Sequence, residues 1–558
     1  MPTLSKDSRK LTNIITVWDM QTFSRCIFAS YKTADIVKCE IILYGGVISA
    51  MKTGYDEIIL QSVESDKEIL DKEWNSINWN SVEYGIFKIQ KRIFEAEKEG
   101  NYRKVNSLCR LLINDKRSLL YSIKVVTKKN KGKRTSGIDG MVIKKDYGRM
   151  ALFYKLSDYK ISLHNPKPVR RVYIPKKNGK TRPLGIPSII DRVYQEVCKL
   201  ALEPMFEAKF ESSTYGFRPC RGTSDAIEKI HTYTRGLKRK YIFEGDFKSC
   251  FDTLSHQHIL NKLGNFPLKG LIKKWLEAGY LENNVFYKTR AGTPQGGIIS
   301  PLLANIALDG MEEALNIEYR KVKHKNGYVY SNKSKYAVVK YADDFVIICE
   351  TLEDANNVYE LLDDYLKERG LTLAPDKTKI THIDDGIDFL GYNIRCYKGQ
   401  DRDKVLIKAS KDSVNSFKSK AREIVRKCYP WNLEESITRL NYLINGTGNY
   451  WRIGSNSDLF SKMDRYIYKL LLSRSKRWYS NKPVKWIVDK HFKESSHPGY
   501  NWKWTFTNPN TGSQVDRMAW IKIRYHWCIK FKATPYDVEY EEYFHKRYSM
   551  TPYEYLYG

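Results

Sequence analysis

The sequence predicts an α+β fold, in which a domain of short strands and helices is flanked on both sides by nearly all-helical segments. Three observations carry this. Ile86, Ile89 and Ile93, then Val105, Leu108 and Leu112, recur at helical spacing on either side of Gly100-Asn101. Between Arg170 and Tyr392, β-rich runs alternate with helical ones. Beyond about residue 405 the helical period returns. In Ser461–Tyr479, Met463, Ile467 and Leu470 share one helical face, and Lys462, Arg465 and Lys469 share another.

Taken in order, residues 1–70 hold short apolar runs and no recognisable chemistry. Met1 to Ala34 has few acids and several Lys, Arg and Ser, as transit peptides do, but lacks their clean amphipathic pattern. Met51 is an alternative start, residues 1–50 then being read through from neighbouring coding sequence. Residues 71–165 form a helical extension. Its basic run Lys128–Arg134 reads as a solvated loop leading into the turn-rich Thr135–Gly140. In 166–395, Arg171–Pro175 predicts a strand and Lys176–Lys180 a hairpin tip turning at Asn178-Gly179. Ile189–Phe210 predicts a long helix, and Lys240–Phe247 and Tyr336–Cys349 predict strands. Residues 396–558 read as mainly helical.

With 558 residues the chain is long enough for about three to four domains. Lys and Arg number 95 against 64 Asp and Glu, a net charge of +31. Such an excess repels itself unless an anion neutralises it, and a polyphosphate backbone is the commonest such partner. Forty Tyr and twelve Trp add flat faces on which unpaired bases can stack. No run approaches the ~20 apolar residues of a membrane span. The ten cysteines include no CxxC pair, which argues against a zinc ribbon or a disulfide framework. His526, Cys528 and His545 are too scattered for a zinc site.

The most informative segment is Tyr341-Ala342-Asp343-Asp344, set between Val338-Val339 and Phe345-Val346-Ile347-Ile348. This predicts a tight hairpin with two adjacent carboxylates at its tip. Adjacent like charges are costly without a compensating cation, so the pattern argues for bound metal, and Mg²⁺ suits carboxylates plus substrate phosphates. A second strand ends at Asp246 in Phe243-Glu244-Gly245-Asp246-Phe247, with Phe251 about one turn beyond. If the strands lie side by side, the carboxylates meet, and two metals ~3.5–4 Å apart suit in-line displacement at phosphorus.

These blocks resemble the reverse transcriptases encoded by group II introns. Tyr341-Ala342-Asp343-Asp344 is similar to the family's carboxylate box, and Asp246 to Asp252 to its first palm motif. Arg182-Pro183-Leu184-Gly185-Ile186-Pro187, Tyr215-Gly216-Phe217-Arg218-Pro219 and Gly292-Thr293-Pro294-Gln295-Gly296-Gly297 follow in the family's order, as do Pro375-Asp376-Lys377-Thr378 and Phe389-Leu390-Gly391. Asn441–Gly446, Asn449-Tyr450-Trp451-Arg452, Lys485–Asp489 and Ala533–Asp537 resemble its maturase segment, domain X. The resemblance covers roughly residues 74–555.

It implies a right-hand polymerase with fingers and palm in 166–395, and a thumb with domain X in 396–558. Asp246, Asp343 and Asp344 would hold two Mg²⁺ ions. Lys180 and Arg182 would clamp the triphosphate, Phe251 would exclude a ribose 2′-hydroxyl, and Gln295 and Gly296 would contact the nucleotide. Lys377 would give a proton to the leaving pyrophosphate, and Phe389-Leu390-Gly391 would support the primer end. Lys462, Arg465 and Lys469, and also Lys476, Arg477, Trp478 and Tyr479, would face RNA. The implied partners are group II intron RNA, an RNA template, a DNA primer or target, and dNTPs, with no membrane; a homodimer stays open. The chain would assist intron splicing and mobility. The pattern shows no HNH endonuclease segment, so second-strand cleavage in cis is not expected. Two alternatives remain at this stage, a splicing-only RNA-binding maturase and a domesticated reverse transcriptase of a defence or diversity-generating system. The compartment is cytoplasmic for a bacterial protein, and plastid or mitochondrion for an organelle-encoded one.

Overall fold

A computed structural model describes residues 66–557, apart from 176–178, 180, 283–284, 325–326, 496 and 498–503. The chain divides into two units, residues 1–69 and 70–558. The transit-peptide and start-site readings and the Asn178-Gly179 turn lie outside the described residues.

In the second unit, helices Trp79–Lys98, Tyr102–Asn114 and Lys116–Lys124 follow one another with capped starts. Asn78, Asn101 and Asp115 accept from the Ser81, Lys104 and Arg117 backbone amides. Gly100, at φ +71°, turns the chain between the first two. Ile86, Ile89, Ile93, Val105, Leu108 and Leu112 are all buried, and they pack onto helix Ile189–Glu207. The basic run differs from its expected loop. Residues Val125–Lys129 continue as a π-turn and Lys131–Arg134 form a 3₁₀ turn. Buried Val125, Val126 and Thr127 draw the chain onward in helical form, and Arg149 donates to the Thr127 hydroxyl and carbonyl.

Three larger sheets follow. The fingers sheet runs Thr181–Ile186, Val169–Pro175, Tyr280–Glu282, Val285–Tyr287. The palm sheet runs Lys379–His382, Tyr241–Asp246, Asp344–Cys349, Ala337–Tyr341, antiparallel throughout. Its strands alternate strictly. Phe243, Val338, Phe345 and Ile347 enter a core shared with the N-terminal helices, while Ile242, Val339, Val346 and Ile348 enter a second core shared with the thumb. Both faces are therefore buried, which explains the near-continuous apolar runs. A third sheet joins Ile387–Phe389, Tyr392–Tyr397 and Lys404–Ala409. The expected boundary at 395/396 falls inside its middle strand. Helices Lys411–Arg426, Leu433–Trp451, Ser457–Trp478 and Val484–His491 complete the thumb.

Residues 531–557 return across the palm to the N-terminal helices. Arg221 donates to the Phe531 and Ala533 carbonyls, and Tyr536 donates to Glu203 at 2.6 Å. Lys98 pairs with Asp537 and Glu539, and Lys91 with Glu541. Tyr557 is buried against Tyr121 with its hydroxyl on Gln90.

Two buried ion pairs knit this frame. Arg218 donates from Nε and Nη2 to the two carboxylate oxygens of Glu207, at 2.8 and 2.9 Å, and from Nη1 to the Glu211 and Thr214 carbonyls. Lys340 pairs with Glu211 and donates to the Leu308 carbonyl. Arg218→Ala leaves the Glu207 carboxylate buried without its partner and should cost about 3–5 kcal/mol of unfolding free energy. An unchanged urea midpoint would show that the pair carries no such weight.

Candidate active site

Strand register sets two carboxylates side by side and the hairpin turn adds a third next to them, while among the described residues no three acids stand together as a ready-made metal cluster. Asp246, the last residue of its strand, is the Cα partner of Asp344, and Asp344 is in turn the partner of Tyr341 across the hairpin. Ala342 and Asp343 form the two-residue turn between them, with Ala342 at φ +58°. A non-glycine residue in that region is uncommon and must be held by its surroundings.

The surroundings supply the hold. Tyr215 donates its amide to the Lys340 carbonyl at 2.9 Å, and Lys340 returns its amide to Ser213 at 2.8 Å. Gly216 lies so close to the turn that a Cβ there would stand 2.4 Å from the Ala342 nitrogen. The Asn305 side chain fixes the Gly216 carbonyl at 2.9 Å. Beneath the opposite strand, Gly245 leaves room for the Phe345 ring, which a Cβ would meet at 2.1 Å. The Tyr215–Pro219 motif therefore buttresses the turn that carries Asp343.

Electrostatics record the crowding. Asp344 is exposed at the start of its strand, whose remaining residues are buried. Loss of hydration, then the charges of Asp343 and Asp246, push its carboxyl up to about 6 against the opposing pull of Lys377 and Arg182. Lys377 Nζ lies 2.7 Å from Asp246 Oδ2, and this bond holds the ammonium charged. Lys377 thus stands at the carboxylates, on the turn Pro375–Thr378 whose Ala374 amide reaches the Asp246 carbonyl at 2.8 Å.

The Gly292–Gly297 loop joins the expected nucleotide contacts to one another. Gly292, at φ +84°, lies against Phe251, and a Cβ there would stand 2.4 Å from the Phe251 carbonyl. Thr293 donates to that carbonyl at 2.7 Å. At its other end the loop meets the fingers, where Gly185 donates to the Gln295 carbonyl at 2.7 Å and Gly296, at φ +127°, abuts the Gly185 carbonyl. One loop thus ties Phe251, Gln295 and Gly296 to the strand of Arg182. Phe251 is half-buried against the core, and Arg182 is exposed. Lys180 lies outside the described residues.

On the thumb side Phe389 is buried, so it supports the following turn from below. Leu390 and Gly391 make that turn at φ +48° and +77°. Tyr450, whose part in this site the sequence did not reveal, donates to the Leu390 carbonyl at 2.6 Å. Lys462, Arg465 and Lys469 are all exposed on helix Ser457–Trp478, with Met463 and Ile467 buried on the other side. Lys476 and Arg477 are exposed, and Trp478 and Tyr479 are half-buried. Trp478 Nε1 donates to the Cys428 carbonyl, and Tyr479 stacks on His491, so each is held on one side by packing. Lys340 was likewise not singled out, although a lone cation in the apolar run Val338-Val339-Lys340 was its signal.

Because Asp344 titrates higher in the native chain than the ~4 of an unfolded aspartate, the folded state holds this proton more tightly. The group is neutral for stability below about pH 4 and turns unfavourable as pH rises through its native value. Asp344→Asn should therefore raise the melting temperature of the metal-free protein by a few degrees near neutral pH. That gain should vanish towards about pH 4, and a pH-independent gain would contradict the crowding.

Family models match along the chain in the same order as these structural parts. The N-terminal domain of reverse transcriptase matches residues 74–156, reverse transcriptase (RNA-dependent DNA polymerase) matches 174–394, and the group II intron maturase-specific domain matches 414–492. Protein YkfC of Escherichia coli is 36% identical over 303 residues, 48% of this chain and 78% of that protein. The group II intron-encoded protein LtrA of Lactococcus lactis is 34% identical over 325 residues, 48% of this chain and 53% of LtrA. A protein in the cob intron of Schizosaccharomyces pombe is 29% identical over 374 residues, 55% of this chain and 46% of that one. The chain thus spans about half the length of these two intron proteins. No described helix is long and apolar enough to cross a membrane. With a reverse transcriptase domain behind its carboxylates and a maturase-specific domain as its thumb, the chain belongs to the group II intron-encoded reverse transcriptases.

Proposed function

We propose that this chain extends a DNA primer on an RNA template with deoxynucleoside triphosphates, and that its thumb holds group II intron RNA and assists its splicing. The observation that carries the first part is the in-register meeting of Asp246 and Asp344 beside Asp343. Three hard oxygen donors, crowded enough to raise one of them, fit a pair of Mg²⁺ ions better than softer metals. Bound there, such ions supply charge neutralisation at the attacking hydroxyl and the leaving pyrophosphate.

The chain's own residues do the rest. Asp246, Asp343 and Asp344 hold the ions, and Arg182 offers a fork of donors to the triphosphate. Phe251, whose carbonyl is held by Gly292 and Thr293, would be the residue that excludes a 2′-hydroxyl. Gln295 and Gly296 line the nucleotide from the same loop. Lys377, beside Asp246, would protonate the leaving pyrophosphate. The Leu390-Gly391 turn positions the primer end. We assign residues 71–165 to the extension, 166 to about 409 to fingers and palm, and the remainder to thumb and maturase segment.

Asp343→Ala should lower Mg²⁺-dependent primer extension on an RNA template by on the order of 10³-fold, the worth of several kcal/mol of charge stabilisation. The same folded protein should still support splicing of its host intron, since the thumb is a separate part of the chain. Wild-type extension in the variant would overturn the polymerase assignment, and joint loss of splicing would overturn the separation.

The thumb reading has its own check. Replacing Lys462, Arg465 and Lys469 together with Gln removes three exposed cations while keeping helix propensity. The slope of log affinity for intron RNA against log salt should flatten by about two units, with melting temperature nearly unchanged. An unaltered slope would return these residues to plain solvated surface.

A further inference from the structure

Between helices Lys411–Arg426 and Leu433–Trp451, the chain passes through Lys427-Cys428-Tyr429-Pro430-Trp431-Asn432. The rings of Tyr429 and Trp431 lie 4.5 Å apart and 10° from parallel. The Arg474 guanidinium sits 4.3 Å from the Tyr429 centroid. Two groups at such distances cannot share one face of a ring, so the order is guanidinium, phenol, indole. The far face of the indole is open, and Trp431 is 79% exposed.

The loop that carries this stack is rigid. Tyr429 donates its amide to Asn432 Oδ1 at 2.7 Å, and Asn432 Nδ2 donates to the Lys427 carbonyl at 3.0 Å. Pro430 fixes its own φ. The carbonyl of buried Cys428 accepts from Arg474 Nε at 2.9 Å and from Trp478 Nε1 at 3.2 Å. Such a mount adds little to core stability from the indole itself, which stays in water. It does hold a flat, polarised face in a fixed direction, the arrangement that lowers the entropic cost of binding a flat ligand.

Charge says what that ligand is. From Lys411 to Lys427 the chain carries Lys411, Lys418, Lys420, Arg422, Arg426 and Lys427 against Asp412 and Glu423, and Lys427 occupies Glu423 at 2.8 Å. The acids after the loop are also engaged, Glu434 by Asn508, Thr511 and Ser513, and Glu435 by Arg439 at 3.6 Å. A second copy of this chain, at +31, would meet like charge here.

We infer that Trp431 is a stacking platform for an unpaired RNA base, backed by Tyr429 and Arg474, with the strand's phosphates drawn to the exposed Arg426. The inference rests on the RNA-holding role proposed above for the thumb and adds a preference to it. A base inside a duplex has both faces covered, so the platform selects single-stranded segments.

The test uses the full chain, a short labelled oligoadenylate and an RNA duplex of the same length. Trp431→Ala should weaken oligoadenylate binding by about 5- to 150-fold. Trp431→Phe should recover most of that loss, because a ring is restored. The salt slope should not change, since stacking releases no counterions, and duplex affinity should hold. A photoreactive 4-thiouridine strand should crosslink within 429–431. Wild-type oligoadenylate binding by Trp431→Ala, equal losses on both RNAs, a crosslink confined to other segments, or a loss of self-association with RNA binding intact would each overturn the platform. Primer extension by the same proteins on a pre-annealed template reads the polymerase assignment separately, so a failure there is told apart from a failure here.

Discussion

Three carboxylates at the ends of neighbouring strands repel one another, and much of the surrounding structure exists to keep them in place. The register of the palm sheet brings Asp246 opposite Asp344, but register alone would let the turn at Ala342-Asp343 relax away. Backbone contact from Gly216 and the paired amides of Tyr215 and Lys340 prevent this. Strain in the left-handed Ala342 and crowding at Asp344 are two readings of one constraint. The site is built at high local energy, part of which the Lys377 ammonium on Asp246 offsets.

That constraint reaches the interior. The segment holding the turn is anchored by Arg218 on Glu207, and the strand before it by Lys340 on Glu211. Both acids belong to one stretch, at the end of the long helix Ile189–Glu207 and just after it. Cations on two elements are thus referenced to a single segment of chain, which fixes their separation. Buried pairs of this kind contribute little net stability against an apolar replacement, but they define geometry closely. Here they do so about one element away from the carboxylates.

Much of this was legible in the sequence, wherever chemistry or period is local. The carboxylate hairpin follows from two β-rich runs with almost nothing between them, and the helical pair from its spacing and Gly100-Asn101. The amphipathic thumb helix shows its cations and apolar residues on the expected faces. What escaped depends on partners far along the chain. The run Lys128–Arg134 is solvent-facing as its charges suggest, but buried Val125–Thr127 before it give it helical turns in place of a loop. The anchoring of Trp478, whose indole N–H donates to the carbonyl of Cys428 fifty residues earlier, was not visible in its own segment. Tyr450 carries no motif of its own beyond the thumb pattern, and its link to Leu390 needs the fold to be known.

The return of residues 531–557 to the N-terminal helices also bears on how the chain is made. Gln90 and Tyr557 are separated by 467 positions, and Lys91 and Glu541 by 450. At about 5–20 residues per second, a ribosome needs on the order of half a minute to a minute and a half to bridge that gap. For that time Phe87 and Tyr121 lack the aromatic partners that later cover them. The nascent N-terminal helices therefore present a sticky, unfinished surface throughout synthesis of the palm and thumb. A chaperone has its widest window for engagement then, and premature termination would leave that surface permanently open.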